Sequence, residues 1–283
     1  MPYKLPIIAT TADGYRFLFG RFTAWFQLAL LPLVIWVAIE MIVSNGWLAG
    51  GNLARTSNSP LAAHWILNAP FFLAYVLVTV ALLLYAVALH RLVLDLPGST
   101  GAFAWLTWRA RHMRYLGQAV IVAAILLIGI MVSGTFVPMV GAVAGTAGVL
   151  DTAAGEVTLT IIVLLLFAVP IALLTCMVLP ALPAAAVEDH AVTLSEASNQ
   201  AKGNLWRMTL ILLVGSLVPL RLVEWGMTFL LARSAADTEP VHAAEVTGIL
   251  VNFLAFTVVI TLLSLIYRRL RDNKTLRVDQ PAR

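Results

Sequence analysis

Four polar residues stand inside otherwise apolar stretches of this chain and are the first candidates for chemistry: Glu40, Arg221, Glu224 and Asn252. A charged side chain at the centre of a bilayer costs ~2.5–3.5 kcal/mol on insertion scales, so it is retained where it pairs or binds something. Arg221 and Glu224 are three apart, a spacing that puts both on one helix face. With ~1.5 Å of rise per residue, all four fall roughly 20–26 Å from the basic ends of their stretches. That depth belongs to the outer half of a bilayer. The expectation is a ligand-binding pocket there for an ion, a lipid headgroup or a small solute, with Glu40 reaching Arg221 if their helices are neighbours. The plainer alternative is an ion pair that locks helices together, with Glu40 snorkelling to the boundary.

Other chemistry finds few residues to carry it. None of His64, His90, His112, His190 and His242 stands three or four residues from another histidine or from Cys176, so no metal site is expected. The consecutive Glu188-Asp189-His190 would point in different directions on a helix and reads as a solvated span end. There is no nucleophile elbow and no phosphate loop; Lys202-Gly203 lacks the rest of that motif. Neither catalysis nor a cofactor is expected. Cys176, the single cysteine, excludes an intrachain disulfide and reads as a packing residue.

The elements that must hold these residues follow from composition. Charged residues make up 11% of the 283, the hydrophobic share is 61%, and mean hydropathy is +0.93. A soluble domain spends about a quarter of its residues on charge; a bilayer accepts the apolar excess. Stretches near the ~20 residues of a span occur at Phe22–Ser44, Ala69–Leu89, Leu116–Met139, Val157–Val187, Met208–Ala232 and Val246–Tyr267. The expected fold is all-α, a polytopic bundle of six spans in one membrane domain (1–270) with a basic tail (271–283). Span four should kink and unwind around Leu179-Pro180-Ala181-Leu182-Pro183. The Gly/Ala-rich run from Gly141 to Gly148 reads as a loose turn.

Of 18 Lys and Arg residues, all but Arg55, Arg221 and Arg233 flank the spans on one side. By the positive-inside rule that side is cytoplasmic, and both termini lie there.

Each odd-numbered span is preceded on that side by a basic, aromatic-bearing segment: Thr11 to Phe22, Phe103 to Tyr115, and Thr193 to Arg207. Amphipathic interfacial helices are expected, with Arg16, Arg21, Arg109, Arg111, Arg114, Lys202 and Arg207 facing anionic lipid headgroups. Near such a leaflet each cation is worth about 1 kcal/mol. Thr193 and Glu196 have capping-box spacing. The recurrence suggests three parallel repeats of helix, span, span. Nucleic-acid binding is not expected, because the basic residues flank spans instead of forming a soluble basic face.

The stretch LPALPAAAVEDHAVTLSEASNQAKGNLWRMTLILLV, Leu179 to Val214, resembles a group of bacterial six-span proteins. The group includes YciC-like inner-membrane proteins and the membrane domain fused to some glycerophosphodiester phosphodiesterases. Pro183, Glu188, Lys202-Gly203-Asn204, Trp206 and Arg207 match its pattern, and His90-Arg91-Leu92-Val93-Leu94 resembles the end of its span two. The resemblance implies this fold and a bacterial inner membrane, and no activity. The expected function is an accessory or scaffold subunit of a membrane complex, or a lipid-organising protein, with a membrane-protein partner or self-association. The alternative is a transporter or lipid-handling permease using the outer pocket.

Overall fold

The computed structural model describes residues 3–44, 69–96, 108–146, 155, 162, 166, 169–234 and 241–278. All its elements are helical. Six helical segments are long and apolar enough to cross a membrane, and the chain is a multi-pass integral membrane protein. The expectations for Arg55, His64, the Val157 end of span four, residues 103–107 and the end of the tail lie outside the described residues.

In chain order the helices are α1 (Ile7–Gly20), α2 (Phe22–Ser44), α3 (Ala69–Val93), α4 (Ala110–Thr146), α5 (Val169–Val178), α6 (Ala181–Ala186), α7 (Leu194–Ala201), α8 (Leu205–Leu212), α9 (Val218–Ser234) and α10 (Val241–Val278). A π-helical turn, Leu213–Leu217, joins α8 to α9. Span four breaks between α5 and α6 at Leu179-Pro180, within the proline-bearing stretch. Thr193 caps α7 by accepting the Glu196 N–H at 3.3 Å.

Two local readings change. The helix of span three continues through 141–146, where a turn was expected. That run holds no proline to stop it, and alanine carries no helix penalty. The described part of the second basic segment is the opening of α4 itself, continuous with its span. Separate helices on the basic side are therefore α1 and α7 among the described residues.

The bundle is organised around α10, which touches α1, α2, α3, α6, α7, α8 and α9. The apolar stretch of α10 is 67% buried, against 17% for that of α4, which faces outward. Without a hydrophobic drive between helices in lipid, close packing and interhelical hydrogen bonds must hold them. Helix α1 shows the packing. Gly14 leaves room for Leu262, whose Cδ2 would stand 2.7 Å from a Cβ added there. The chain leaves helical geometry at Arg21, and the indole of Trp25 donates to the Leu18 carbonyl at 2.7 Å. Arg269 of α10 then donates to Thr10 at 2.7 Å and to Asp13 at 2.6 Å.

Candidate functional site

The basic end of the bundle carries most of the charged contacts. Helix α4 opens with the Arg109 N–H donating to His112 Nδ1 at 2.9 Å, and the Trp108 ring stacks on that imidazole. This fixes the backbone of Arg109 at the helix mouth, and its side chain is exposed. Arg111 is 11% exposed and lies 3.8 Å from Glu188. Arg91 at the end of α3 is within electrostatic reach of Arg111, Glu188 and Arg109. Arg114 donates to His190 Nδ1 at 2.6 Å and to the Asp189 carbonyl at 3.2 Å. Asp189 also accepts the Tyr267 hydroxyl of α10 at 2.5 Å.

Glu188-Asp189-His190 thus receives two arginines of α4 and a tyrosine of α10, while Glu188 and His190 themselves stay exposed at this span end. Glu188 takes a left-handed conformation, φ 62°, just past α6. That turn lets three consecutive residues face different partners, which a helix would also have separated but aimed elsewhere.

The remaining basic candidates divide by what they touch. Arg16 pairs with Asp13 at 3.0 Å while remaining 80% exposed. Lys202 is exposed and donates to Asn199. Arg21 binds Asp95 at 2.5 Å, and Arg268 approaches the same carboxylate at 3.7 Å. Arg207 is turned inward, donating to the Leu5 carbonyl at 2.8 Å.

Inside the bundle lies a polar chain that the sequence reading did not single out. Thr257, Thr261 and Ser264 form one stripe on α10, and each donates to a carbonyl four residues back. Their hydroxyl protons are spent, so Ser264 accepts from His90 Nδ1 at 2.7 Å and Thr257 accepts from the Tyr85 hydroxyl at 2.9 Å. His90 Nε2 then accepts the Tyr115 hydroxyl at 3.3 Å. This donor order holds His90 as a neutral imidazole, fully buried. The signal was present as hydroxyls at helical spacing in span six, a pattern that in a bilayer marks an interhelical bonding face.

Two apolar grooves open beside α4. One, about 510 Å³, lies between α4 and α5 along Ile125, Gly129, Pro170 and Ile171. The other, about 410 Å³, lies between α3 and α4 and is lined by Thr79, Ala86, Tyr115, Ala119 and Leu126, with Leu182 and Phe256 behind.

At the far end, Arg221 pairs with Glu224 and donates to Asn252 Oδ1 of α10 at 3.2 Å. Asn252 donates in turn to the Gly248 carbonyl. Arg221 is 52% exposed and Glu224 23%. Glu40 is elsewhere: its helix packs on α3, and its charge acts on the Tyr75 hydroxyl. Three of the four expected pocket residues therefore meet. No triad of His, Cys, Asp or Glu side chains that could hold a metal ion occurs among the described residues.

Part of the far-end geometry reaches back to α1. Pro219 has no N–H to offer the Gly215 carbonyl four residues earlier. That carbonyl lies in the π-helical turn and accepts the Tyr15 hydroxyl at 2.8 Å. Burial raises the Tyr15 phenol above its ordinary value, so it stays a donor.

No protein-family model, curated protein or solved structure matches this chain.

Proposed function

We propose that this chain is a non-enzymatic accessory or scaffold protein of a bacterial cytoplasmic membrane that organises anionic lipid at its basic end. The observation that carries the reading is an arginine belt, Arg111 and Arg114, held by protein contacts at the basic end of α4, the helix that also lines two apolar grooves. Such a belt presents its charge without first having to order flexible side chains. The positive-inside rule makes this end cytoplasmic, with both termini there. The resemblance of Leu179 to Val214 to bacterial six-span proteins favours the inner membrane. His90 spends both ring nitrogens inside the core, which favours structure over catalysis. Purification in mild detergent with mass spectrometry tests the reading. A stoichiometric membrane-protein partner together with retained anionic phospholipid supports it; a solitary chain carrying neither contradicts it.

A second reading, a transporter or lipid-handling permease, is favoured by the Arg221–Glu224–Asn252 cluster, with its half-exposed guanidinium inside a span. The cluster lies nearer the far surface than the midplane sites of most transporters. Under this reading Arg221→Leu abolishes uptake while folded protein persists; uptake at the unaltered rate eliminates it.

A further inference from the structure

We propose that the groove between α3 and α4 holds one acyl chain of an anionic phospholipid from the leaflet at the basic end, with its phosphate against Arg109 and Arg111. This deepens the lipid-organising reading, on which it rests, by giving that reading a site.

The groove has the length of one leaflet. Along α4 it runs from Tyr115 to Leu126, ~16 Å at 1.5 Å per residue. A leaflet's share of the ~30 Å hydrocarbon core is about the same. Its floor is made of small side chains, Ala86 and Ala119, with the equally small Ala123 exposed at its lipid side, which leaves the width of a chain. Its lip is open toward lipid at Val120 and Leu126.

The wall is fixed before anything binds. Tyr115 is held by His90, and His90 by Ser264, so the groove does not close by rotation of that ring. Preorganisation of this kind removes an ordering cost from binding.

The charge lies at one end. Arg111 precedes Tyr115 by four residues and shares its helix face. Arg109 stands exposed beside it, and Arg91 is within electrostatic reach of both. Glu188 offsets part of this charge. The mouth therefore suits a phosphate, which the guanidinium fork binds with two parallel hydrogen bonds. An uncharged apolar occupant, such as a partner helix, would fill the groove and gain nothing from the exposed Arg109 charge at its mouth.

The test is native mass spectrometry of the full chain released from nanodiscs of equal phosphatidylglycerol and phosphatidylcholine. The expected result is one phosphatidylglycerol retained per chain in preference to phosphatidylcholine. Arg109→Gln lowers that retention about 5-fold, the factor for one cation near an anionic surface, and leaves phosphatidylcholine unchanged. Ala123→Phe fills the groove from its lipid-exposed side and removes the bound lipid, with gel filtration and circular dichroism unaltered. Equal retention of the two lipids overturns the proposal. So does phosphatidylglycerol held as tightly by both variants as by the unaltered chain, a result that leaves the wider lipid-organising reading standing. Retention of no phospholipid by the unaltered chain overturns both.

Discussion

The side-chain oxygen of Asn204 accepts the backbone N–H of Leu5 at 2.8 Å, across 199 residues of sequence. The same amide donates to the Tyr3 carbonyl at 2.9 Å, and Arg207 donates to the Leu5 carbonyl at 2.8 Å. The turn between α7 and α8, made possible by Gly203 at φ +81°, therefore clasps the segment that leads into α1. Three residues of the Lys-Gly-Asn-aromatic-Arg pattern, Gly203, Asn204 and Arg207, have a structural task here.

Asn204→Ala leaves the buried Leu5 N–H without a partner, which costs ~1–3 kcal/mol. The loss is local to the clasp. Hydrogen exchange should quicken across residues 3–10 while the core of α10 is unaffected; Asn204→Asp, which keeps the acceptor for Leu5, should fall between. Unchanged exchange in this segment would contradict the clasp.

Tyr15 and Pro219 are coupled through the Gly215 carbonyl. Tyr15→Phe removes a hydrogen bond and should cost about 1 kcal/mol. In a Pro219→Ala background the new N–H can serve the same carbonyl, so the cost of Tyr15→Phe should shrink toward zero. Stability measured for the two single variants and the double variant in one detergent decides this; additive losses would mean that Pro219 has no part in the contact.

His90 and Ser264 should show a coupling energy of about 0.6 kcal/mol, and no more than ~1.7, the range found for hydrogen bonds between membrane helices. A double-mutant cycle with His90→Ala and Ser264→Ala measures it. A coupling indistinguishable from zero would mean that the polar chain on α10 does not hold α3.

Orientation is tested with Arg16→Cys in a Cys176→Ser background, since Arg16 is 80% exposed on α1. A membrane-impermeant maleimide should label it in inverted membrane vesicles and leave it untouched in intact spheroplasts. The reverse pattern would place the basic end outside and remove the basis for inner-leaflet lipid.

What could be read along the sequence was whatever depends on one dimension. Span length and the alternation of charge need only local apolar content, and six span-length helices are present. The break at Leu179-Pro180, the Thr193 cap and the Arg221–Glu224 pair follow from spacings of a few residues. Asn252 joined them because depth along a helix can be counted. Glu40 did not, because which spans are neighbours is set by packing, and α2 lies against α3. The clasp of Asn204 on Leu5 and the meeting of His90 with Ser264 are long-range contacts of the same kind. A proline's missing donor is legible at Pro219; that Tyr15 would supply the replacement is not.

The central claim is that the basic end gathers anionic lipid, and the most direct measurement is the composition of the lipid annulus. The chain would be extracted into native nanodiscs from its host membrane, and the phospholipids captured with it compared with those of the bulk membrane. The account predicts enrichment of anionic phospholipid around the protein, diminished in a variant combining Arg109→Gln and Arg114→Gln. A captured composition equal to that of the bulk membrane, unchanged by those substitutions, would contradict it.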